Sequence, residues 1–147
     1  MLYVIIQFLA IIFLIINSNI MAINLISIIL IIISIIIALS ALITMKITNL
    51  NVLPQLKNNH KLVTKGIYSY VRHPMYLSVL LLCLAFLLTN ISIINLIIYA
   101  VLVIDLILKS NLEEKLLAHR FNDYNDYKKN TGKLFPSFKI ITKTSAD

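Results

Sequence analysis

The chain has 147 residues, 60% of them hydrophobic and 13% charged, with a mean hydropathy of +0.93. A soluble domain carries about 25% charged residues, so this composition excludes an ordinary water-soluble fold and indicates one small integral membrane domain. The net charge is +7 and every charge lies at or beyond Lys46; the basic residues flank apolar spans, a pattern the positive-inside rule explains without a nucleic-acid partner. Gly66 and Gly132 are the only glycines, too few for a Gly-rich dinucleotide loop, and the single cysteine, Cys83, supports neither an internal disulfide nor a thiolate metal centre. No metal site is expected.

In chain order, Leu2 to Ile16 is apolar apart from Gln7. It lacks a basic leader and a small-residue cleavage site, so it is expected to be a retained span. Asn17-Ser18-Asn19 reads as a tight turn. Ile20 to Met45 is long enough to cross a core of ~30 Å at ~1.5 Å per residue. Its Asn24, Ser27, Ser34, Ser40 and Thr44 are small polar groups of the kind that pack helix on helix. Residues 46 to 73 form a polar connection carrying Lys46, Lys57, Lys61, Lys65 and Arg72; Pro54 breaks any helix there and Gly66 permits a turn. Pro74 suits the first turn of a helix. The apolar run from Met75 to Thr89 that follows is short for a full crossing. Asn90-Ile91-Ser92 is the next turn, and Ile93 to Leu108 the fourth span, its polarity rising from Asp105. After Lys109 a helix is expected to leave the membrane, with Leu112, Leu116 and His119 on one face and Glu113 and Arg120 on another. The basic tail from Lys128 to Lys143, interspersed with Phe135, Phe138, Ile140 and Ile141, is suited to an anionic lipid surface.

The predicted fold is all-α, a multi-pass transmembrane helical protein with about four spans. It forms one domain over 1–147, with a transmembrane hairpin at 1–45 and the chemistry-bearing part at 46–147. The uncharged turns face one side; the basic loop and both termini face the cytoplasm.

Two polar blocks stand out. His60 to Tyr76 ends in Arg72-His73-Pro74, where the loop meets the third span; Glu113-Glu114 opens the second block. Asp105, Lys109 and Glu113 recur at i, i+4 and i+8 and form one stripe. Taken singly, each feature has a plain reading. The stripe is a ladder of ion pairs, Arg72 snorkels to lipid phosphates, His73 caps a helix, and Tyr68, Tyr70 and Tyr76 form an interfacial belt. Those readings do not explain why the same ends of two helices also carry Glu113 and Glu114. An ionisable residue within a span is costly and marks function.

Together, His60-x-Leu62-Val63-Thr64-x-Gly66-x-Tyr68-x-Tyr70-x-Arg72-His73-Pro74-x-Tyr76 and the later Glu113-Glu114-x-x-Leu117 resemble the isoprenylcysteine carboxyl methyltransferase family. That family belongs to a wider group of integral membrane methyltransferases that includes phospholipid methyltransferases. The resemblance covers Lys57 to Pro136. It implies S-adenosylmethionine as cofactor, held at the cytosolic face. By the same resemblance, His60, Lys61, Leu62, Val63, Tyr68, His73, Pro74, Met75, Tyr76, Glu113 and Glu114 form the cofactor cradle. The residue one turn before Glu113, commonly Arg in the family and facing the substrate, is Lys109 here. Ile67 stands where many relatives have Pro, Ser78 where Gly is usual, and Phe121-Asn122-Asp123-Tyr124 shortens the usual Phe-Gly-x-x-Tyr.

The chemistry is compatible with the resemblance. A Glu suits the cofactor's ammonium or a ribose hydroxyl, and an imidazole suits its carboxylate. Tyrosines pack the adenine and face the sulfonium. Methyl transfer to a carboxylate needs alignment and desolvation more than a strong base. A cation, Lys109 or Arg72, would orient that acceptor, although Lys lacks the planar fork of Arg. The expected acceptor is the carboxylate of a prenylated cysteine or a similar lipophilic acid, reached among membrane lipids. The alternatives are N-methylation of a phospholipid amine, and a non-enzymatic small membrane protein. Oligomeric state is not legible in the sequence.

Overall fold

The computed structural model describes residues 2–45 and 62–137. Runs of Ile and Leu form helices here, although β-branching is a handicap to helices in water, because a bilayer leaves backbone polar groups no other partner. The helices are α1 (Leu2–Ile16), α2 (Leu25–Met45), α3 (Pro74–Thr89), α4 (Ile93–Arg120) and α5 (Tyr124–Asn130), with short 3-10 turns at Ile20–Ala22 and Gly66–Ser69. The described residues contain no strand; the single β-type contact joins Val71 and Gly132. The fold is all-helical. At 21 and 28 residues, α2 and α4 are long and apolar enough to cross a membrane, whereas α1 and α3 are shorter apolar helices of 15 and 16 residues.

One boundary differs from the sequence expectation. The second span starts later, because Asn19 caps a separate turn and Asn24 Oδ1 accepts the Ser27 N–H at 2.9 Å, so α2 begins at Leu25. The helix expected to leave the membrane after Lys109 is the continuation of the fourth span, as the shared stripe of Asp105, Lys109 and Glu113 required. α4 runs unbroken to Arg120, since no Gly or Pro interrupts it, and His119 and Arg120 sit favourably in its last turn.

Side chains on α2 face α3 at seven-residue intervals. Ser27, Ser34 and Ala41 are buried, and Ser34 Oγ donates to the Ser78 carbonyl at 2.8 Å. Small residues permit this close approach, in agreement with the packing role expected for Ser27 and Ser34. α1 lies along α4: Ala10 and Leu14 pack with Leu102 and Leu106, and with Leu80 and Cys83 of α3. Most of the remaining Ile and Leu side chains of α1, α2 and α4 point outward, as a lipid-facing surface requires.

The two neutral turns meet at one end of the bundle. Asn90 Nδ2 donates to the Asn17 carbonyl at 2.7 Å, and the Asn19 N–H donates to Thr89 Oγ1 at 3.1 Å. The polar segments gather at the opposite end. There the chain after α5 folds back as a strap: the Arg72 N–H donates to Gly132 O (2.8 Å), the His73 N–H to Lys133 O (3.1 Å), and the Gly132 N–H to Tyr70 O (3.1 Å). Both glycines are dictated by geometry. Gly66 has φ +59°, the left-handed region. A Cβ at Gly132 would fall 1.7 Å from the Phe135 carbonyl oxygen.

Candidate functional site

The site is built where the first turn of α3 meets the polar end of α4. Pro74 starts α3 without needing a hydrogen bond of its own, which leaves His73 at the N-cap position. His73 makes no capping hydrogen bond. Its buried ring instead stacks on Tyr76, with centroids 5.4 Å apart and planes within 2°. The imidazole lies between two carboxylates, Nδ1 at 3.5 Å from Glu113 Oε2 and Nε2 at 3.4 Å from Glu114 Oε1. Neither approach has hydrogen-bond geometry, and Nε2 is buried without a hydrogen-bond partner.

Glu113 and Glu114, adjacent on α4, have different surroundings. Glu113 accepts the Tyr76 hydroxyl and is partly exposed. Glu114 is buried and surrounded by cations: Arg72 Nε at 2.8 Å and Lys128 Nζ at 3.1 Å. The Arg72 guanidinium also donates from Nη1 to the Lys128 carbonyl at 3.0 Å and to the Thr131 carbonyl. Arg72 is thus the cross-brace that joins α3, α4 and the strap. Glu113 has the open carboxylate of the pair.

Below this pair on α4 come Lys109 and Asp105. Lys109 is 2% exposed; its Nζ donates to Gln7 Oε1 at 3.0 Å and lies 5.2 Å from the Tyr76 ring centroid. The expected stripe of Asp105, Lys109 and Glu113 is therefore inward-facing, not a solvated ladder. Asp105 makes no ion pair among the described residues, and both of its carboxylate oxygens are buried without a partner.

Tyr68 is buried under the cluster. Its hydroxyl donates to Met45 Sδ at 3.4 Å, and its carbonyl accepts the Tyr127 hydroxyl at 2.6 Å. Burial, with Glu113 nearby, pushes the Tyr68 phenol up to about 12, so it is a neutral donor at physiological pH. Leu62 and Val63 are half-buried ahead of the Gly66 turn, Met75 is half-buried on α3, and Pro74 is fully buried. His60 and Lys61 lie outside the described residues. The structure thus brings His73, Tyr76, Glu113, Glu114, Arg72 and Lys109 together, with Tyr68 adjoining.

Three contributors were not singled out from the sequence as site residues. Gln7 was only a polar interruption of a span, and its partner is 102 positions away. Lys128 read as part of a lipid-facing tail. Gly132 shows its purpose only once the strap is seen.

Buried acid, imidazole, phenol and ammonium groups gathered at one end of an apolar helical bundle define the class: a helical membrane-type protein with an ionisable cluster at one end. The sequence model of one family, phospholipid methyltransferase, matches residues 22–124, most of the chain. The chain belongs to this family, the integral membrane methyltransferases that include isoprenylcysteine carboxyl methyltransferases. It is a membrane methyltransferase. A search of curated proteins found no match. The family match ends before the strap and begins after α1, so Gln7 and Lys128 both lie outside it.

Proposed function

We propose that this protein transfers a methyl group from S-adenosylmethionine to a lipophilic acceptor drawn from the bilayer, at a site on the cytoplasmic face. The observation that carries the reading is the meeting of Glu113, His73 and Tyr76 at the polar end of the bundle, in a chain of this family. The polar groups fit the cofactor. The partly exposed Glu113 carboxylate suits an ammonium or a ribose hydroxyl, while His73, between Glu113 and Glu114, orients the two carboxylates. When bound, S-adenosylmethionine supplies an electrophilic methyl group on a sulfonium.

The chain's own residues contribute orientation and dryness. The Tyr76 hydroxyl fixes the Glu113 carboxylate, and its ring stacks on His73 and faces Lys109. The Arg72–Glu114–Lys128 cluster holds the strap over the outer side of these groups. Such a preorganised, water-poor site favours displacement by alignment and desolvation.

For the acceptor, the prenylcysteine-like carboxylate is one reading, with Lys109 or Arg72 as the orienting cation. A second reading, a phospholipid amine, is favoured by two observations. Both cations already have partners, Lys109 in Gln7 and Arg72 in Glu114 and two carbonyls, whereas Asp105 has none. The test is transfer of labelled methyl from S-adenosylmethionine into a farnesylcysteine analogue and, separately, into a phospholipid extract. Label in the first supports the carboxylate reading and label in the second the amine reading. Label in neither refutes the proposed function.

A further inference from the structure

Asp105 is 4% exposed in the apolar part of α4, and neither carboxylate oxygen meets a hydrogen-bond donor. A carboxylate in a span is costly unless something compensates it. The nearest cation on its own helix, Lys109, sits one turn away but is drawn aside: its Nζ is held by Gln7 Oε1 at 3.0 Å and lies over the Tyr76 ring. Gln7 comes from α1, so two helices cooperate to keep Lys109 from closing on Asp105. The stripe of Asp105, Lys109 and Glu113 has a formal charge of −1. It therefore complements one further positive charge.

We propose that Asp105 is the receptor for an ammonium group of a ligand bound at this site. The inference rests on the proposed function for the identity of the ligands, though not for the geometry. Two sources share the chemistry: the headgroup ammonium of a lipid acceptor, which must first pass a proton to the Asp105 carboxylate to free its nitrogen lone pair, and the amino group of S-adenosylmethionine. Asp105 lies ~12 Å from Glu113 along the helix axis, on its apolar side. That depth places it toward the bilayer, which a lipid approaches, rather than toward the polar end, which a water-soluble cofactor approaches.

The test uses the full chain, purified in detergent, and two variants, Asp105→Asn and Asp105→Leu. Asn keeps the shape and removes the charge; Leu removes the polar group altogether. Both take a buried, unpartnered carboxyl group out of a span and are expected to fold, and native-like helix content and thermal melting check this. One arm measures binding of short-chain phosphatidylethanolamine against short-chain phosphatidylglycerol. The other measures binding of S-adenosylmethionine without lipid.

The expected result is that wild type prefers the amine lipid by at least tenfold, and that both variants lose this preference while binding S-adenosylmethionine normally. If the ammonium is the cofactor's, the variants instead lose at least tenfold in S-adenosylmethionine affinity and leave lipid preference unchanged. Wild-type values for both ligands in either folded variant overturn the assignment of Asp105. Failure of the proposed function looks different: wild type then binds no S-adenosylmethionine, and an Asp105-dependent amine preference would still support the subsite.

Discussion

Arg72→Ala is expected to release the strap from the bundle while leaving the spans in place. Arg72 Nε is 2.8 Å from Glu114, and both side chains are under a tenth exposed, 8% and 6%, so solvent screens the pair little. Removing one partner of a buried pair costs about 3–5 kcal/mol. The Lys128 and Thr131 carbonyls lose their donor as well. Lys128 remains on Glu114 at 3.1 Å, but it is half exposed, and such a contact offsets about 1 kcal/mol at most. A net loss of about 3 kcal/mol makes opening of the strap roughly a hundredfold more favourable. Hydrogen exchange read by mass spectrometry on the detergent-solubilised protein measures this directly. Residues 131–137, including the Gly132 amide bonded to Tyr70, should exchange about a hundredfold faster, while α2 stays protected. Arg72→Lys should fall between the two, since it keeps a charge near Glu114 but loses the fork that reaches the carbonyls. Unchanged exchange in 131–137 for Arg72→Ala would refute the cross-brace.

Glu113→Gln and His73→Ala should each weaken S-adenosylmethionine binding more than tenfold, because a charge-assisted hydrogen bond contributes about 1.5–3 kcal/mol; unchanged equilibrium affinity in both would exclude them from the cradle. Gly132→Ala should lower the melting temperature and open the bridge to Val71, since its Cβ would meet the Phe135 carbonyl oxygen at 1.7 Å; a wild-type melt speaks against the strap geometry. Ser34→Ala should cost about 0.6 kcal/mol through loss of its bond to the Ser78 carbonyl, and Ser34→Leu considerably more through the lost close approach; equal unfolding curves for Ser34→Leu and wild type contradict the α2–α3 contact. Single cysteines at Asn17 and Ser137 should label from opposite sides of the membrane, Ser137 from the cytoplasm; labelling from one side only removes the proposed topology.

Local sequence order revealed much of this arrangement. Of the small polar residues that marked α2 as a packing helix, Ser27 and Ser34 are buried and Ser34 meets α3, whereas Asn24 is exposed and Ser40 and Thr44 are half-buried. Arg72-His73-Pro74 marked the start of α3, since Pro fits the first turn of a helix and not its interior. The i, i+4, i+8 spacing placed Asp105, Lys109 and Glu113 on one stripe, as found. Helical spacing does not say which other helix a stripe faces. The stripe read equally well as a solvated ladder, and only packing against α1 shows Lys109 held by Gln7 across 102 residues. The same limit hid the partner of Arg72, whose positive charge and interfacial position fitted a lipid phosphate as readily as Glu114. Polarity rises from Asp105, but with no Gly, Pro or competing cap the helix that carries the stripe runs on to Arg120.

The central claim is that this chain moves a methyl group from S-adenosylmethionine to a lipophilic acceptor through the cluster around Glu113. Purified wild-type protein and Glu113→Gln, each reconstituted in bilayers of natural lipid extract with a farnesylcysteine analogue added, should be incubated with methyl-labelled S-adenosylmethionine and then extracted with organic solvent. The expected result is label in the organic phase for wild type and a loss of more than tenfold for Glu113→Gln. Folded wild-type protein that leaves the organic phase unlabelled, or equal label in the two proteins, would contradict it.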